Sequence, residues 1–129
     1  MKVIIATLII NLLFPLIFAA LARILGGFRW QHHAHPRQFL ANTTGMAARA
    51  NAVQQNSFEN LLFFIPAVVF AIYMMIPIYV VQMLCIAHLI FRLLFAVSYV
   101  LNWSILRSIM WFLAAACNGY LLFLAYYYG

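Results

Sequence analysis

The stretch Arg49–Pro66, RANAVQQNSFENLLFFIP, holds the one acidic residue of the chain, Glu59, just where the sequence turns almost wholly apolar. Arg49, Ala52, Asn56, Glu59, Phe63 and Pro66 recur at alternating spacings of three and four, so in a helix they share one face. An ionisable side chain at the mouth of an apolar helix is costly, and it marks a functional site whose partner has to be found. Candidate partners lie further on. Cys85, His88, Arg92, Phe95 and Tyr99 form a second stripe at helical spacing, and Arg107 opens the last apolar run. Two arginines, a carboxylate, an amide and a phenol suit a zwitterionic, peptide-like, mostly anionic ligand. Arginine takes carboxylates in bidentate fashion, and a glutamate takes an ammonium.

These residues need a lipid-embedded scaffold. The chain is 69% hydrophobic and 6% charged, against roughly a quarter charged in an ordinary soluble domain. It is an integral membrane protein. Lys and Arg number seven and the formal charge is +6, but the basic residues sit at the ends of apolar runs or inside them. That distribution fits topology signals and buried sites, not nucleic acid. There is no Asp, which excludes paired-carboxylate hydrolysis and any Ser-His-Asp arrangement within one chain. Cys85 and Cys117 both lie inside apolar runs and read as packing residues.

The pattern predicts four membrane-spanning helices, over about 3–25, 46–76, 78–101 and 107–128. Lys2, an apolar run and Ala20-Leu21-Ala22 also resemble a cleavable signal peptide. The run is longer than a usual signal core, however, and its removal would leave three helices to enclose the polar site. Gly26-Gly27 ends the first span through a left-handed cap. The segment from Phe28 to Gly45 reads as a solvated basic loop. Its His32, His33 and His35 have no carboxylate or Cys nearby to complete a metal site, so no metal is expected. Thr43 or Thr44 caps the second span. Pro66 should kink that span, and Pro77 should end it. Tyr126-Tyr127-Tyr128 forms an interfacial aromatic belt. Arg23, Arg29 and Arg37 in the first connection, and Arg107 beside the third, place those connections in the cytoplasm and both termini outside.

The helix rise sets the depth of each polar group. Measured from the outer end, Glu59 lies ~27 Å up, Asn56 ~31 Å, Arg92 ~21 Å, and Tyr99 and Arg107 ~31 Å each. Arg49, ~42 Å up, stands clear of the hydrocarbon. Polar groups from three spans thus gather at the cytoplasmic boundary, with Gln54 or Gln55 among them. Glu59 and Arg92 are expected to neutralise each other. A purely structural ion pair would explain those two residues, but not the company they keep.

At these residues the sequence resembles the MAPEG family, the membrane-associated proteins of eicosanoid and glutathione metabolism. Asn56-Ser57-Phe58-Glu59 matches that family's Asn-x-x-Glu on the second helix, and the following Asn60-Leu61-Leu62 is similar to the microsomal glutathione transferase branch. Arg92 with Tyr99 seven residues on, and then Arg107, match its pattern on the last two helices. The resemblance covers about Arg49 to Gly119. It implies a trimer of four-helix subunits that binds glutathione between neighbours at the cytoplasmic end. Asn56, Glu59, Arg92 and Tyr99 would hold glutathione, with Gln54 close by, and Arg107 would stabilise its thiolate for attack on a hydrophobic electrophile dissolved in the bilayer. Ala52 stands where the family usually has an Arg, and Arg49, one turn earlier, is the candidate replacement. Phe95 stands where many members have a His. The implied activity is a membrane glutathione transferase or peroxidase. The alternatives are a non-catalytic lipid- or glutathione-binding protein of the same fold, and a small structural membrane protein.

Overall fold

The computed structural model describes residues 1–129 as five α-helices and one 3-10 turn, without strands. Four helices are long and apolar enough to cross a membrane: α1 (Lys2–Gly26), α3 (Gly45–Tyr73), α4 (Ile78–Val100) and α5 (Ser104–Tyr128). The short α2 (Pro36–Ala41) lies in the first connection. In the bundle α1 packs along α3, and α4 along α5. The helix α3 also touches α4 and α5, while α1 and α5 do not meet. The bundle is therefore a diamond with α3 and α4 on its short diagonal.

Three apolar clusters stack along the bundle. Ile4, Phe64, Ala67, Ala71, Val81 and Leu121 fill the end that carries the termini. Phe14, Val53, Phe95 and Ala96 fill the middle of the opposite half. Ala22, Leu40 and Ala50 close the far end. Alanines on α3 let the helices approach closely, as membrane helices require when no water drives them together. The outward faces are apolar too: Leu16, Ile17, Leu62 and Phe112 are all exposed. This is the reverse of a soluble bundle, and it fits lipid as the solvent.

Helix ends follow local chemistry. Gly27 has φ 72° and its N–H reaches the Ile24 carbonyl, while the Phe28 N–H reaches that of Arg23. This is the left-handed cap expected there. A Cβ at Gly26 would lie 3.0 Å from Thr43 Cγ2 and 3.2 Å from the Phe39 ring, so those side chains would have to shift to admit one. Asn102 ends α4 the same way at φ 61°, with the Trp103 N–H on the Ser98 carbonyl.

Several sequence expectations need correction. The helix α3 stops at Tyr73, not Ile76. Met75 turns at φ 56° and the Ile76 N–H closes onto the Ala71 carbonyl, so the chain reverses before Pro77. That shortening lowers every depth on the second span by roughly 6 Å. The helix α5 begins at Ser104, one turn before the expected start, so Arg107 sits inside the helix. The first connection is not an open loop. It forms a 3-10 turn, Trp30–Ala34, and then α2, with Pro36 at the first helical position. Phe28, His32 and Phe39 pack together there, and His32 Nδ1 accepts from the Arg29 N–H at 2.9 Å. Thr44 occupies the cap position of α3 but makes no side-chain cap bond. Pro66 lies inside α3, where the sequence placed it. Cys85 and Cys117 are free and buried.

Candidate functional site

The polar groups converge where α3, α4 and α5 face one another. Arg92 on α4 is only 2% exposed. It donates from Nη1 to Asn56 Oδ1 at 2.8 Å and from Nη2 to Ser57 Oγ at 3.1 Å. Its guanidinium also lies 4.3 Å from the centre of the Phe95 ring. Neutral oxygens and an aromatic face therefore hold this cation inside the bundle, as buried charges require.

The expected Glu59–Arg92 ion pair does not form. Glu59 is exposed, and Arg92 directs one N–H of Nη1 to Asn56 and one of Nη2 to Ser57. The reason is angular. At about 100° per residue, the direction midway between Asn56 and Ser57 lies about 110° around α3 from Glu59. Glu59 instead lines a cleft of about 370 Å³ whose walls include Asn56, Asn60, Arg92, Trp111 and Asn118.

Arg107, half-buried on α5, lies 4.4 Å above the Tyr99 ring of α4. The two residues line a second opening of about 390 Å³, together with Asn56, Phe95 and Trp111. Asn56 and Trp111 thus border both clefts. Gln54 and Glu59 border a third hollow of about 420 Å³ on the outer face of α3, with Arg37 and Asn51. Gln54 Oε1 is buried there without a partner. Arg49 is placed differently: its Nε donates to the Val100 carbonyl at 3.0 Å, tying the start of α3 to the end of α4. The structure therefore brings Asn56, Glu59, Arg92, Tyr99 and Arg107 to adjoining clefts. Gln54 sits on the neighbouring face, and Arg49 acts as a tie. Another hollow, about 590 Å³, lies away from these groups under the first connection, beside His32, His35 and Gln38.

Sequence reasoning missed one part of the arrangement. Asn60 Oδ1 meets His88 Nε2 at 3.1 Å and accepts from Asn118 Nδ2 at 3.3 Å, linking α3, α4 and α5. The His88 ring stacks on Phe64 at 4.1 Å, with 5° between the planes. Ser57, the second acceptor for Arg92, was also passed over. The signal was present: a lone amide such as Asn118 in an apolar span is costly, and it calls for a partner on another helix.

Fold and site together define a multi-pass membrane helix bundle with a cleft lined by Asn56, Glu59, Asn60 and Arg92. The chain belongs to the MAPEG family, whose model matches residues 3–127. Comparison with curated proteins and with solved structures gives no match. Membership fits a membrane protein with a glutathione-related role.

Proposed function

We propose that this protein is a membrane glutathione transferase or peroxidase, acting as a homotrimer with its site at the cytoplasmic end. The observation that carries the reading is the shared wall: Asn56 borders both the Arg92 cleft and the Arg107 cleft. A ligand held at one reaches the cation of the other. Arg92 and Asn56 would take a carboxylate and amide of glutathione, Glu59 its ammonium, and Tyr99 would close one side. Arg107 would face the sulfur. A thiol of pKa near 8.5 is mostly protonated at neutral pH, and a cation in a poorly solvated cleft favours the thiolate. The thiolate then attacks an apolar electrophile arriving from the bilayer. The exposed Glu59 supports a trimer, because a neighbouring chain would shield it from lipid.

The deciding experiment is calorimetric binding of glutathione to purified protein, with thiolate absorbance followed near neutral pH and turnover measured on an aryl halide or a lipid hydroperoxide. Binding with both a thiolate signal and turnover supports the enzyme. A specific observation favours a second reading, a non-catalytic binding protein. Ala52 replaces the usual arginine, and Arg49 is engaged with the Val100 carbonyl. Binding without a thiolate signal or turnover would select that reading. Normal binding by a strictly monomeric protein would remove the trimer.

A further inference from the structure

The first connection folds over a hollow of about 590 Å³ at the end of the bundle remote from the termini. Its floor is Leu25 on α1, and its walls come from the 3-10 turn, from α2 and from the start of α3. Two of its groups have a fixed hydrogen-bonding sense. The Arg29 N–H donates to His32 Nδ1 at 2.9 Å. A backbone N–H can only donate, so Nδ1 accepts and the ring hydrogen of His32 sits on Nε2. Ala47 is 4% exposed. Its N–H meets no carbonyl, and α3 has no side-chain cap. Both fixed groups are therefore donors, while the amides of Gln31, Gln38 and Asn42 can turn to either sense. Glu59, the one carboxylate side chain, lies ~18 Å along α3 from Ala47. No side chain of the hollow is acidic, and Arg29 and Arg37 stand exposed in the same connection. The donors call for an acceptor, and the surrounding charge favours an anion.

The volume falls within the range of small-molecule sites, ~300–1,000 Å³. Leu25 is 43% exposed and its neighbour Ile24 76%, so the floor continues into the lipid-facing surface of α1. Trp30, 86% exposed, stands beside the hollow in the 3-10 turn, and tryptophan belongs at headgroup level. A soluble anion would use the polar walls and leave Leu25 uncovered. A quaternary ammonium would find no carboxylate. A phosphate ester on an apolar tail uses both walls and floor.

We propose that this hollow seats the phosphate of an anionic phospholipid, with its acyl chains running past Leu25 into the bilayer. The site shares no residue with the Arg92 and Arg107 clefts, so it and the transferase reading can fail separately. The test is native mass spectrometry of the detergent-solubilised protein, titrated with dioleoyl phosphatidylglycerol or dioleoyl phosphatidylcholine. One phosphatidylglycerol per chain should bind at roughly five- to tenfold lower concentration than phosphatidylcholine, the ratio one or two nearby arginines give. His32→Leu removes the fixed donor without altering the formal charge, and Gln38→Trp, at an exposed position, fills the hollow. Each should weaken phosphatidylglycerol binding roughly tenfold, the effect of one hydrogen bond to a charged group. Lys2→Gln removes a charge ~36 Å away along α1 and should change nothing. Equal affinity for the two lipids would overturn the site. So would unchanged affinity in the folded variants, or an equal loss in Lys2→Gln, which would mean bulk charge alone. Inorganic phosphate that binds as tightly as the lipid, and is lost in the same variants, would overturn the lipid as its source. If His32→Leu unfolds the connection, Gln38→Trp decides alone.

Discussion

Arg92 donates to Asn56 Oδ1 at 2.8 Å, so a neutral amide holds the buried cation of α4 while Glu59, three residues along α3, stays exposed. The division of labour is testable. Asn56→Ala should lower stability by about 1.5–3 kcal/mol, the range for a hydrogen bond to a charged group. Glu59→Gln should leave stability nearly unchanged and weaken glutathione binding. Unfolding titrations in detergent, set beside calorimetry, check both. Equal destabilisation by the two variants would mean that Arg92 reaches Glu59 after all.

Arg107 and Tyr99 form the second relationship. A cation acting on a sulfur anion stabilises the thiolate more than the thiol, so its loss falls on the chemical step. Arg107→Ala should lower turnover about 10- to 1,000-fold. Glutathione affinity at a pH where the thiol is protonated should change far less. Tyr99→Phe keeps the ring beneath Arg107, whereas Tyr99→Leu removes it. The Leu variant should therefore lose more of the thiolate signal than the Phe variant.

Arg49 has two candidate roles that separate cleanly. As the tie to the Val100 carbonyl, its loss should fray the α4–α5 connection. Arg49→Ala should then speed amide exchange around Leu101–Trp103 and leave the KM for glutathione near its original value. A raised KM without faster exchange would return Arg49 to the ligand site.

Orientation is open to labelling. Cys85 and Cys117 are buried, so a cysteine introduced as His35→Cys, at an exposed position, should dominate the signal. The basic first connection predicts that this label is cytoplasmic. Labelling from outside would move the site to the other face of the membrane.

Much of the fold was legible because lipid imposes a simple code. Apolar runs of spanning length, ended by Gly27 and by a proline at position 77, mark the four spans with little ambiguity. The gathering of Asn56, Arg92, Tyr99 and Arg107 was legible from spacing and rise alone. What spacing does not carry is rotation. Glu59 and Arg92 stand at similar heights, yet the turn of α3 about its own axis presents Asn56 and Ser57 to the guanidinium. The early stop at Tyr73 was hidden because Met75, not glycine, adopts the left-handed turn. The mid-membrane cluster escaped because Asn60, His88 and Asn118 are far apart in the chain, and only helix packing joins them.

The position of α3, in contact with each of the other spans, also sets an order of assembly. The first two spans emerge from the ribosome before the rest, and α1 and α3 pack on each other without help from α4 or α5. When α4 follows, Arg92 enters a membrane where Asn56 and Ser57 already wait. An arginine in a lone helix costs up to about 2.5–3.5 kcal/mol to insert, the value at the helix centre; one that finds its acceptors on arrival is spared part of that. A fragment beginning at Ile78 should accordingly insert poorly by itself in a translocation assay, and co-synthesis of residues 1–76 should restore it. Restoration that fails only when Asn56 and Ser57 are both changed to Ala would identify the second span as the template on which the third is received.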